Sequence, residues 1–216
     1  MKFIQLVVLI LVTTNNLALA GQALPQRTVN NEDFTVEKNG IVFEIVLPYT
    51  DWVIPENKPG NSTALLDVKL RITNTTNKPL RFNGFNSLFP ELVTSDGKHL
   101  HCWQAPDETL RHRQAQDSDY PLIEHGNSIT LPLLVDLFWP NLEPSTLTFR
   151  WWLSSGEPGQ YFDDLKPGNY LLRLVYQNSL SNLESELPSH KIFNDNVWKG
   201  EASTPYVPIL LRYSTH

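Results

Sequence analysis

The chain has 216 residues, 41% of them hydrophobic and 11% aromatic, with 17 Lys and Arg against 23 Asp and Glu for a formal net charge of -6. That length supports a stable apolar core, and the acidic balance argues against nucleic acid or anionic lipid as a partner. The single cysteine, Cys102, excludes an intramolecular disulfide, so packing alone must hold the fold.

At the N-terminus Lys2 precedes an apolar run from Phe3 to Val12 broken only by Gln5, and Ala18-Leu19-Ala20 places small residues before Gly21. This is the pattern of a signal peptide over residues 1–20, cleaved after Ala20. The run is about half the roughly 20 residues that span a bilayer as a helix. No cysteine stands at the junction to take a lipid. The mature chain is therefore expected to carry no transmembrane segment and to reside in the periplasm or outside the cell. Taking 20 from 216 leaves 196 residues, and loss of Lys2 moves the charge from -6 to -7. Residues 21–33 are polar and without pattern, so 21–38 is expected to be a flexible N-terminal segment leading into one domain over 39–216.

From there on, period-two alternation dominates. Ile41, Phe43, Ile45 and Leu47 share one face of a predicted strand, and Leu66, Val68, Leu70 and Ile72 separate from Asp67, Lys69, Arg71 and Thr73 in the next. The pattern returns at Ile129 to Val135, Leu147 to Leu153, Tyr170 to Tyr176 and Val207 to Leu211. Turn-forming clusters separate these runs: Asn74 to Pro79, Asp96-Gly97, Glu157-Pro158-Gly159 and Lys166-Pro167-Gly168. No comparable helical stripe competes, so the fold class is all-β, an antiparallel sandwich. Two polar stretches, 103–127 and 178–203, interrupt the rhythm as long loop insertions. Such loops commonly carry binding surfaces, although an added strand would also account for the second.

Leu165-Lys166-Pro167-Gly168-Asn169-Tyr170 runs directly into an alternating strand and resembles the tyrosine corner of Greek-key sandwiches. Leu165, Gly168 and Tyr170 are its structural residues. The stretch from Leu70 to Phe82, Pro90 to Val93 ahead of Asp96-Gly97, and Val197 to Gly200 ahead of the last strand extend the likeness. Together they resemble secreted bacterial immunoglobulin-like β-sandwich domains, and are similar to the BsuPI-type proteinase inhibitor domains. The resemblance implies an immunoglobulin-like fold. No reactive-loop motif matches, so no inhibitory residue carries over.

Candidate chemistry is sparse. His99 and His101 share a face if residues 98–103 are extended, which nominates them as copper or zinc ligands. Cys102 would point to the other face, so completing the site needs His112 or His125 brought in by folding. Cys102 lacks the signature of a thiol nucleophile and reads as a buried bystander. Asp117 with Asp119 and Asp163 with Asp164 lack calcium-loop spacing. Neither a nucleophile elbow nor a phosphate loop is present. Among six tryptophans, Trp152 lies opposite the inward Trp151 and, with Trp198, forms a candidate exposed platform for a sugar or protein. Asn61-Ser62-Thr63 and Asn74-Thr75-Thr76 are glycosylation sequons in a host with that machinery. The sequence thus predicts an exported non-catalytic binding or structural module, needing no cofactor, with an unknown protein or glycan partner. The alternatives are a periplasmic metal-binding protein using His99 and His101, or a secreted proteinase inhibitor.

Overall fold

The computed structural model describes residues 34–57, 63–84, 87–104, 116–140, 145–153, 159–178 and 196–214. The leader, residues 21–33, residues 105–115 with His112, and most of the 178–203 insertion lie outside them. The strands are β1 (Thr35–Lys38), β2 (Ile41–Val46), β3 (Asp51–Ile54), β4 (Thr63–Asn74), β5 (Leu80–Arg81), β6 (Leu88–Thr94) and β7 (Trp103–Gln104). They continue with β8 (Leu122–Ile123), β9 (Ser128–Phe138), β10 (Thr148–Leu153), β11 (Gln160–Phe162), β12 (Gly168–Asn178), β13 (Gly200–Ser203) and β14 (Val207–Tyr213). Among the described residues no α-helix occurs, and Asp117–Asp119 forms a 3-10 turn.

Two sheets pack face to face. The larger is seven-stranded and antiparallel in the order β1-β2-β4-β9-β10-β11-β7. In the smaller, β12 pairs with β6 on one edge and with β13 and β14 in succession on the other, and β14 pairs in parallel with β3. The all-β sandwich expected from alternation is the architecture observed. β1 joins β2 through Asn39-Gly40, whose φ values of 56° and 74° make the two-residue hairpin turn for which Asn-Gly is the preferred pair. The sheet therefore begins at Thr35, four residues inside the segment assigned to a flexible leader.

Alternation decides what seals the interior. Ile41, Phe43 and Ile45 of β2 and Val68, Leu70 and Ile72 of β4 are all at most 1% exposed, and Leu172, Leu174 and Val207 facing them from the smaller sheet are at 0%. Each such side chain contributes roughly 1.5–3 kcal/mol by leaving water. Trp52 stacks on Phe149 across the layers, with ring centroids 5.9 Å apart.

The connection from β11 to β12 crosses between the sheets, and it is pinned at three points. Leu165 is buried and donates its N–H to the carbonyl of Leu147 at 3.0 Å. The Tyr170 hydroxyl donates to the Lys166 carbonyl at 2.8 Å and accepts from the Lys166 N–H at 3.0 Å, while its ring is 7% exposed. Gly168 takes φ 155°, which side chains with a Cβ rarely adopt. Both backbone polar groups of Lys166 thus close on one phenol. Tyr170→Phe keeps the ring and removes both bonds, so it is expected to lower stability by about 1–2 kcal/mol. A urea titration should show a lower midpoint at unchanged slope.

Candidate binding face

The platform proposed from sequence divides between two environments. Trp198 is 5% exposed and belongs to the core, packing on Phe43 at 5.2 Å, Tyr176 at 5.6 Å and Phe82 at 6.2 Å between ring centroids. This corrects its assignment to an exposed surface. The physical reason is a clamp. The Trp198 N–H bonds to the Arg81 carbonyl, and its own carbonyl accepts from the Asn178 side chain at 2.7 Å. Arg81 in turn takes the Asn196 carbonyl on its N–H. The end of the 178–203 insertion is thereby held on the sandwich, and its last residues add β13 to β12.

Trp152 does stand on the outer face of the larger sheet, half-buried. Strand register surrounds it with residues that alternation alone could not bring together. Trp103 is opposite Tyr161, Tyr161 opposite Arg150, Arg150 opposite Asp136, and Asp136 opposite Leu65, in one line across β7, β11, β10, β9 and β4. In the adjoining line Trp152 faces Leu134, which faces Asp67.

At the centre is an ion pair. Arg150 Nε donates to Asp136 Oδ1 at 3.1 Å and an Arg150 terminal nitrogen donates to Oδ2 at 2.7 Å, a two-pronged contact that fits guanidinium to carboxylate. The Asp136 side chain is 1% exposed and that of Arg150 is 32% exposed. Burial by itself lowers the arginine pKa, but the bonds and charge of Asp136, with Tyr161 adding a little, reverse the balance and leave it raised. The guanidinium also lies over the rings of Trp152, at 4.3 Å, and Phe138, at 4.6 Å, where ring quadrupoles attract a cation. Beside it Trp103 stacks on Tyr161 at 4.6 Å with planes 19° apart, and its indole N–H donates to Asp163. Trp103, at 37% exposed, Leu134, at 44%, and Leu65, at 80%, are among the large apolar side chains left in water.

Among the other sequence candidates, Asp163 reaches this face through its bond with Trp103. His99 and His101 are both exposed. Cys102 is half-buried rather than buried, with Sγ 3.7 Å from Gln160 Oε1. No three His, Cys, Asp or Glu side chains are grouped as metal ligands among the described residues. Nor is any helix among them long and apolar enough to cross a membrane. Asp163 spends both oxygens on Trp103 and Thr148, and Asp164 pairs with Lys166. The Asn74 sequon is structural: the side chain is 0% exposed, donates to the carbonyls of Lys78 and Ile123, and accepts from the Thr76 N–H and hydroxyl. Its nitrogen is inaccessible in the folded chain. Asn61 and Ser62 lie outside the described residues.

Comparison with protein-family models, curated proteins and solved structures gives no match to this chain.

Two outcomes test the geometry. Arg150→Met strands a buried carboxylate and is expected to cost on the order of 2 kcal/mol, less than a fully buried pair because a third of the arginine side chain stays in water. Combining it with Asp136→Leu should recover part of that loss in urea titration, since the stranded charge is then removed. For Cys102, desolvation raises the thiol pKa, and a backbone hydrogen bond from Tyr161 offsets this only in part. Iodoacetamide should therefore label it more slowly than a small free thiol at neutral pH, and the rate should climb at a higher pH than for that reference.

Proposed function

We propose that the chain is an exported, non-catalytic binding module of immunoglobulin-like build whose contact surface is the outer face of the larger sheet. One observation carries the reading: Trp103, Tyr161, Trp152 and Phe138 are gathered with Arg150 on a solvent-facing sheet rather than sealed inside. Folding gains nothing from leaving large apolar side chains in water, whereas recognition surfaces concentrate Trp, Tyr and Arg. Export rests on the leader pattern at Lys2 to Ala20. The immunoglobulin-like build rests on the Tyr170 corner and on the crossover from β4 through β6 and back to β9.

The test separates recognition from turnover. Immobilised wild type, challenged in turn with the polysaccharide and protein fractions of a cell envelope, should retain one fraction saturably. Trp103→Ala with Trp152→Ala should abolish retention while far-ultraviolet circular dichroism is unchanged. Retention untouched by the double variant would remove this face. Turnover of peptide, ester or glycoside substrates abolished by a single substitution would replace the module with an enzyme.

A further inference from the structure

Resting on that reading, we infer that the outer face takes a neutral oligosaccharide, with Trp103 and Trp152 as its stacking residues. Size, charge and polarity each remove a competing class of ligand.

The contact line from Trp103 to Leu65 crosses five strands. At about 4.8 Å per strand it is about 19 Å long, and the outward positions Arg150 and Trp152 of β10 lie about 7 Å apart, Thr148 beyond them being buried. The strip is roughly 130 Å², about a sixth of the roughly 800 Å² that each partner buries in a standard protein–protein interface. The strip by itself is well short of what a second copy of this chain or a folded partner would bury. A few sugar rings fit it.

Charge complementarity then selects among small ligands. The cation at the centre is already matched by Asp136, which is 1% exposed beneath it. The pair is neutral as a whole: an anionic ligand at the remaining N–H groups of Arg150 also meets the Asp136 charge beneath them, and a cationic one meets the guanidinium first. Neither sign of ligand finds an uncompensated opposite charge here, so neither gains the Coulomb attraction that would set it above an uncharged one. The face presents matched charge and suits an uncharged ligand.

Polarity removes the last class. Arg150 keeps part of its guanidinium in water, and Asp163 accepts the Trp103 indole N–H. A wholly apolar ligand would dehydrate these groups without replacing their bonds, at about 1–3 kcal/mol each. A pyranose has C–H faces for the rings and hydroxyls for the polar groups around them. Stacking on an indole that is already fixed against Tyr161 costs little side-chain ordering.

Titration calorimetry and tryptophan fluorescence with cellotetraose, chitotetraose, maltotetraose and xylotetraose, and with hyaluronan as the anionic probe, test the inference. The expected result is saturable binding of at least one neutral tetrasaccharide, little changed between 50 mM and 500 mM salt. It should weaken at least tenfold in Trp103→Ala and in Trp152→Ala. Because both residues lie on the outer face, thermal midpoints confirm that each variant is folded. Preference for hyaluronan that fades with salt, or binding kept by both variants, would overturn the inference. Retention of a polypeptide fraction by this face, with none of the neutral glycans bound, would also overturn it yet leave the binding module standing. Silence toward every fraction and every glycan would remove both.

Discussion

A slip of β12 by one residue would turn Tyr170, Leu172, Leu174 and Tyr176 into water and drive Asn169, Arg173 and Gln177 into the core. That constraint organises the sandwich, because β12 is paired along both edges, with β6 on one and with β13 and β14 on the other. The corner sets the phase. With the Tyr170 hydroxyl closed on Lys166, the strand enters with its aromatic inward, and each second residue follows it. Three neighbouring strands inherit their register from that choice.

The same rule on β10 creates the two kinds of tryptophan. Trp151, 1% exposed, fills the interior, and its chain neighbour Trp152 must point the other way. An outward indole costs solvation unless something covers it, and here Arg150 lies over part of the ring. Arg150 in turn needs a counter-charge, and Asp136 supplies it from the next strand. The outer face is therefore a second, smaller cluster, in which aromatic faces and a matched ion pair do the packing that aliphatic side chains do inside.

How far this was legible depends on range. Strand existence was readable because alternation is local: the sets Val68, Leu70, Ile72 and Val207, Ile209, Leu211 are as buried as their periodicity implies. The face was only half readable. Trp152 follows from Trp151 by parity. Trp103 and Tyr161 do not, because they meet through the pairing of two very short strands, β7 and β11, separated by more than fifty residues. A signal was nevertheless present in Asp136 and Arg150, each a lone charge inside an apolar strand, since such charges persist in sheets when they have a cross-strand partner. Trp198 was misplaced for the opposite reason. Its segment lacks alternation, and its burial is decided by bonds from its backbone to the Arg81 carbonyl and the Asn178 side chain that no periodicity announces.

Placing the proposed contact surface on strands rather than on loops has an energetic consequence. The rings are spaced by ladder geometry, with Trp103 fixed by Tyr161 and by its bond to Asp163, and Trp152 fixed by Arg150. Binding then pays little to order the protein, so a modest area can still yield a measurable affinity. The ion pair adds discrimination rather than attraction. With Asp136 enclosed against it, Arg150 presents no net charge at this point, so a charged ligand gains little attraction that an uncharged one lacks. A buried pair that contributes little net stability to the fold can in this way define what the surface favours.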